Sequence, residues 1–153
     1  MNIVCSTLGA RRPPAEARAV RGARAALRHR RTRGGELHIV WTTRARLRIL
    51  NRRFRQKNRF TDVIAFRYPA ERGRSPFDGP AAGAPFGDLY IATDQARLNA
   101  RRFGSTRDEE IVRLATHGTL HLLGYTDYEP APRARMWAVQ EPIVRRIMGA
   151  RSR

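Results

Sequence analysis

The sequence predicts an α+β fold: a single compact domain spanning residues 1–153, in which a small three- to four-stranded mixed sheet packs against helices, one of them central and buried. Three observations carry this expectation. Short β-rich runs and amphipathic stretches follow one another in the order β-α-β-α-β-β-α-α-α, with no internal repeat. A chain of this length buries roughly two-thirds of its unfolded surface, enough for one core. Finally, the ten residues from Leu114 to Leu123 carry no formally charged side chain, the composition of a helix buried on nearly every side.

The elements follow in order. Asn2 to Ser6 reads as a short strand, and Pro13-Pro14 can start a helix that runs to about Arg30, with Val20, Ala23 and Leu27 at helical spacing. Glu36 to Thr42 is strand-like, because Leu37, Ile39 and Trp41 alternate with His38 and Val40. Thr43 can cap a helix whose apolar line is Leu47, Leu50 and Phe54. The stretch RFTDVIAFRYP is β-rich and is closed by Pro69. Residues 69–86 hold four prolines and three glycines without periodicity, and read as a mobile surface insertion. Gly87 to Thr93 returns to strand, and Thr93 or Asp94 can cap a helix through Arg102. Thr106 and Glu109 stand at capping-box spacing before the next helix, and Gly124 sits where a glycine ends one. Pro130 to about Met148 supplies the last helix, with Met136, Val139, Ile143 and Ile147 inward. Trp41, Phe66 and Trp137 read as core, and Asp62 and Asp88 as turn or cap residues.

Charge narrows the function classes. The formal net charge is +18, and Lys57 is the only lysine. Nine arginines against Glu16 give residues 1–33 a net +8; seven arginines and Lys57, with no acid, give residues 44–59 another +8. Two arginines against five acids leave residues 107–129 at −3. A basic body around a locally acidic, histidine-bearing segment suits a polyanion held near a cation, with nucleic acid the first partner class and an anionic membrane surface the second. No stretch approaches the roughly 18 apolar residues of a membrane span. The opening segment parses as strand and helix better than as a secretory or mitochondrial leader, and Cys5, standing alone, excludes a disulfide framework. A cytoplasmic setting is expected.

His117 and His121, at i and i+4, lie one turn apart on the same face of the uncharged helix. Their nitrogens can converge on one zinc ion, with bonds of about 2.0–2.1 Å. Asp127 follows just past Gly124, where the chain turns and a carboxylate can come back over the pair. Two histidines and a carboxylate leave a fourth position for water, the pattern of a catalytic rather than a structural zinc. Position 118 is Gly, so the glutamate of the HExxH zinc peptidases is missing.

These residues also carry a resemblance. THGTLHLLGYTDYEP (Thr116 to Pro130) resembles the HGxLHLxGYDH signature of the YbeY family of bacterial endoribonucleases. LNRRFRQKNRFTDVIAF (Leu50 to Phe66) is similar to that family's LNxx(Y/F)RxKxxxTDVLSF block, and FGDLYIATDQA (Phe86 to Ala96) to its GDIxIxxxxA block. The resemblance implies a single-domain zinc hydrolase, one ion per chain, that cuts single-stranded RNA. It further implies maturation of the 3′ end of the small-subunit ribosomal RNA, ribosome quality control, and association with the ribosome or a small-subunit ribosomal protein. By the same resemblance Arg55 would bind the scissile phosphate and stabilise its developing charge, with Lys57 a second phosphate contact. The chain departs from the signature at its third histidine. Aligned without a gap, that position is Asp127, a competent ligand; with one residue inserted at Thr126 it is Tyr128. The ungapped alignment is preferred because it keeps a ligand. Two further readings stand beside the ribonuclease: an RNA-binding factor whose catalysis has decayed, and an atypical zinc peptidase.

Overall fold

The computed structural model describes residues 1–32, 34–55, 61–69 and 85–149, with Phe54 and Arg55 described by backbone alone. Among these residues the elements run β1 (Asn2–Thr7), α1 (Glu16–His29), β2 (Glu36–Thr42), α2 (Arg44–Arg55), β3 (Val63–Arg67), β4 (Pro85–Ala92), α3 (Thr93–Phe103), α4 (Arg107–Leu122) and α5 (Pro130–Gly149). This is the order that the patterning predicts. The four strands form one mixed sheet, β1-β2-β4-β3, in which β1, β2 and β4 are parallel and β3 runs antiparallel to β4.

Side-chain alternation divides the sheet into two faces. Leu37, Ile39 and Trp41 of β2 and Leu89 and Ile91 of β4 meet Ala19, Ala23 and Leu27 of α1 and Ile111, Leu114 and Ala115 of α4. On the other face Ile64 and Ala92, with Phe66 and Tyr90 beside them, meet Leu47 of α2. The far side of α4 is closed by α5, where Val112 and Leu120 pack with Met136, Ile143 and Ile147. Helix α4 therefore lies between the sheet and α5, which is why it needs an uncharged run. Its buried threonines are satisfied within the helix: Thr116 donates to the Val112 carbonyl at 2.8 Å and Thr119 to that of Ala115 at 2.7 Å.

Gly118 lets this helix approach the sheet. A Cβ there would stand 2.9 Å from Leu89 Cδ2 and 3.0 Å from Val63 Cγ2. The position that bears a glutamate in HExxH peptidases thus faces the sheet in this fold.

Several local expectations need correction. Trp137 is 44% exposed rather than core. The buried residues of α5 are Met136, Gln140, Ile143, Val144 and Ile147, and Trp137 lies about 100° round the helix from Met136. Phe66 is only half-buried, edge-on to Tyr90. Helix α1 begins at Glu16, because the Pro13 carbonyl accepts from Glu16 N in a preceding turn. Neither Thr93 nor Asp94 caps α3, which starts after Ala92. Asp94 Oδ1 accepts from Arg44 N at 2.8 Å, at the start of α2, and from Gln95 N beside it at 2.9 Å. Of the expected 69–86 loop, residues 70–84 lie outside the described residues, while Pro85 and Phe86 already belong to β4. Proline is tolerated as the first residue of a strand, and Phe86 is 3% exposed in the main core. Among the described residues no helix is long and apolar enough to cross a membrane.

Candidate metal centre

The end of α4 builds the site. Gly124 takes φ +98°, which glycine adopts without strain. Gly124 N then donates to the His121 carbonyl at 3.0 Å and Tyr125 N to that of Leu120 at 3.1 Å, the paired bonds of a Schellman stop. Arg67 reaches from β3 and donates to the Leu122 carbonyl at 2.9 Å. The chain turns back over the last turn of α4, and Asp127 comes to rest against both histidines.

His117 Nε2 and His121 Nε2 are 3.0 Å apart, and Asp127 Oδ2 lies 3.3 Å from the first and 3.6 Å from the second. The side chains are 17%, 25% and 33% exposed, so the cluster is partly sheltered but reachable. What the histidines do with their other nitrogens decides which atoms face the cluster. His121 Nδ1 is 3.0 Å from the Tyr125 carbonyl oxygen, which only accepts, so Nδ1 carries the proton. His117 Nδ1 is 2.6 Å from Gln140 Oε1. The Gln140 amide is oriented in turn by its Nε2, which donates to Glu141 Oε2 at 3.0 Å. His117 therefore also donates from Nδ1.

With each Nδ1 engaged from behind, the two Nε2 atoms face each other and a carboxylate oxygen. Three atoms able to ligate a metal thus converge, and a cation at their centre would be attracted to all three. The spacing suits zinc: with bonds of about 2.0–2.1 Å, a tetrahedral ion separates its ligand atoms by about 3.3–3.4 Å, and the three measured distances bracket that value. Among the described residues these three form the group of His, Cys, Asp or Glu that could hold a metal ion.

Behind His117 the support continues. Arg113 holds Glu141 through Nη2 at 2.9 Å and pairs with Glu110, which is 3% exposed and also accepts from Ser105 Oγ at 2.6 Å. Burial alone would push the Glu141 carboxyl up, but hydrogen bonds from Arg113 and Gln140 and the charges of Arg113 and Arg145 outweigh it and leave the group below its usual range. Burial likewise opposes the charge on Arg113, and its three glutamates more than restore it.

The cluster opens into a cleft of about 390 Å³, whose walls include Thr61, Asp62, Val63 and Arg67 on one side and Tyr125 to Tyr128 on the other. Asp62 is engaged structurally: its Oδ2 accepts from Asn99 at 3.1 Å and its carbonyl from Ala92 N at 2.9 Å. Asp88 accepts from the Tyr68 hydroxyl at 2.8 Å.

The structure thus brings His117, His121 and Asp127 together, and sets Tyr128 at the cleft wall, 73% exposed. The expected phosphate contacts, the Arg55 side chain and Lys57, lie outside the described residues. Sequence reasoning missed Gln140 and the Tyr125 carbonyl, the two groups that orient the histidines. A buried glutamine on an otherwise apolar helical face was the signal for the first; a backbone carbonyl leaves none.

The comparisons with known proteins agree with this architecture. The family model described as Endoribonuclease YbeY matches residues 15–148. The chain is 36% identical over 112 residues to the Endoribonuclease YbeY of Desulfitobacterium hafniense (strain Y51), covering 73% of this chain and 71% of that protein. It is 36% identical over 115 residues to that of Heliobacterium modesticaldum, covering 72% and 68%. The solution structure of TM1509 from Thermotoga maritima superposes with a TM-score of 0.64 over 95% of this chain and 89% of that one, at 20% identity, a likeness of fold. The family match takes in α1 through α4 and nearly all of α5, the histidine–aspartate cluster included, and the chain is a member of the YbeY endoribonuclease family.

Proposed function

We propose that the protein is a zinc-dependent endoribonuclease that cuts single-stranded RNA, with ribosomal RNA, and the 3′ end of the small-subunit RNA in particular, as its substrate. Processing and quality control at the ribosome, contact with a small-subunit ribosomal protein and a cytoplasmic location belong to the same reading. The observation that carries it is the convergence of His117 Nε2, His121 Nε2 and Asp127 Oδ2 at zinc spacing, in a cleft of a chain with net charge +18.

His117, His121 and Asp127 would hold the ion. When bound, it supplies Lewis acidity toward a phosphoryl oxygen and lowers the pKa of water. The chain's own residues do the rest. Gln140 and the Tyr125 carbonyl lock each imidazole in the tautomer that leaves Nε2 free. Tyr128, largely exposed, offers a ring on which an unpaired base can stack. Arg55 and Lys57 are proposed, from the resemblance of their block, to grip the scissile phosphate and meet the charge that develops on it.

Gly118 favours this reading over peptide hydrolysis, since the position of the peptidase general base faces Leu89 and Val63. The test is cleavage of a labelled single-stranded RNA by wild type and by His121→Ala. Cutting that requires zinc, stops with a chelator and is absent from the variant supports the proposal. Binding without cutting under every metal supplied would make the protein an RNA-binding factor, and cutting of a peptide but not RNA would favour the peptidase.

A further inference from the structure

Two grooves lead away from the metal cleft, and they differ in charge. One passes His117 and Asp127 and is lined by Asp62, Glu109, Glu110 and Glu141, with Arg113 the one arginine among its described residues. A polyanion is repelled there. The other crosses the turn after α4. The metal cleft and the next depression share Gly124, Tyr125 and Thr126. That depression shares Ala138 and Val139 with a larger groove of about 710 Å³ between α1 and α5.

Among the described residues this second route has no carboxylate in its lining, but it has five arginines: Arg30 and Arg135 at the turn, then Arg21, Arg28 and Arg146 in the groove. All five are exposed. The arginines nearer the start of α1 are used internally, Arg12 by Glu16 and Arg18 by Asp108, each at 2.9 Å. Among the described residues none of the five has such a partner. Arg30 instead lies over the Tyr125 ring, 4.6 Å from its centre, at the junction of cleft and route. Between its arginines the groove has an aliphatic lining, including Ala25, Val139 and Ile143, with the His29 imidazole as its one ring among the described residues.

We propose that single-stranded RNA extends from the metal cleft over the Gly124–Thr126 turn into the α1/α5 groove, with its phosphates met by Arg30, Arg135, Arg21, Arg28 and Arg146. The proposal rests on the ribonuclease reading of the cleft. It makes the groove a sequence-tolerant track, since phosphate contacts position a strand without reading it. Arg135 and Arg146 are separated by about 16 Å along α5 at 1.5 Å per residue, so only an RNA that outruns the cleft can reach both.

The test compares wild type with the triple variant Arg28→Gln/Arg135→Gln/Arg146→Gln. Fluorescence anisotropy measures binding of labelled RNAs of about 4 and about 16 nucleotides, the limits of common single-strand site sizes, at several salt concentrations. Each lost phosphate contact removes about 0.7 from the log–log salt slope. The variant should lose about 2 from the slope with the long RNA, and at least tenfold in affinity. Its binding and cleavage of the short RNA should match wild type. Unchanged affinity and slope with the long RNA would overturn the track. Unchanged binding of the long RNA, together with loss of binding to anionic phospholipid vesicles in the variant, would overturn the track and assign the groove to a membrane surface. If wild type cuts neither RNA, the ribonuclease reading fails, while the anisotropy contrast still decides the groove.

Discussion

Gln140 Oε1 stands 2.6 Å from His117 Nδ1, and through this contact α5 decides which nitrogen of a candidate metal ligand faces the cleft. The glutamine is 1% exposed, and its amide is oriented from behind by Glu141, which Arg113 holds in turn. The thioether of a methionine, of similar length, is only a weak acceptor and cannot replace the amide oxygen. Gln140→Met should therefore lower zinc affinity by about 10- to 100-fold while the protein stays folded, the range seen when ligand-orienting partners are lost. Competition with a chromophoric chelator measures it. Unchanged affinity would reduce Gln140 to a buried polar residue with no part in the site.

Gly118→Ala tests why this helix lies so close to the sheet. Alanine is the better helix former by about 1 kcal/mol, yet its Cβ would meet Leu89 and Val63 at 2.9 and 3.0 Å. Overpacking of this kind costs about 1–3 kcal/mol, so the net effect on denaturant unfolding should be destabilising. Gly118→Glu should cost more, and should confer no peptidase activity.

The depressed Glu141 carboxyl predicts an acid-sensitive network. Its folded-state pKa lies below its ordinary 4.5. Its contribution is therefore complete above the ordinary value and is lost as pH falls through the lower, folded one. Glu141→Gln should lower stability at neutral pH and show a shallower decline below about pH 4.5 than wild type, read by thermal unfolding across that range.

Cys5 should be a slow nucleophile. Burial first, and then the charge of Glu16, raise its thiol from 9.0 to about 11, with Arg12 opposing. Because the raised value belongs to the folded state, the stability it lends is whole below 9.0 and is lost as pH rises through about 11. Alkylation by iodoacetamide at pH 8 should be far slower in folded protein than in urea-unfolded protein.

The parts of this fold that could be read in advance depend on short-range pattern. The uncharged run from Leu114 to Leu123, the capping pair Thr106 and Glu109, and the stop at Gly124 each act within a few residues, and they mark α4 and its histidines. Asp127 could be suspected because only a turn separates it from His121. What was misread depends on packing between distant segments. Asp94 does not cap its own helix, and its carboxylate reaches the start of α2, fifty residues earlier. Trp137 counts as apolar in composition, but the face that α5 turns toward α4 is centred on Met136, Gln140 and Ile143. Gln140 becomes a partner of His117, 23 residues away, only because α5 closes the far side of α4. Register between helices, which pattern along one helix does not encode, sets all three.

The central claim is that His117, His121 and Asp127 share one metal ion, and metal analysis by mass spectrometry of purified wild type, Asp127→Ala and Asp127→His tests it most directly. The account predicts about one zinc per chain in wild type, as a tetrahedral site with three protein ligands requires. It predicts little or none in Asp127→Ala and recovery in Asp127→His, since imidazole can replace the carboxylate as a ligand. Wild type that takes up no metal when zinc is supplied, or an alanine variant that keeps its zinc in full, would contradict it.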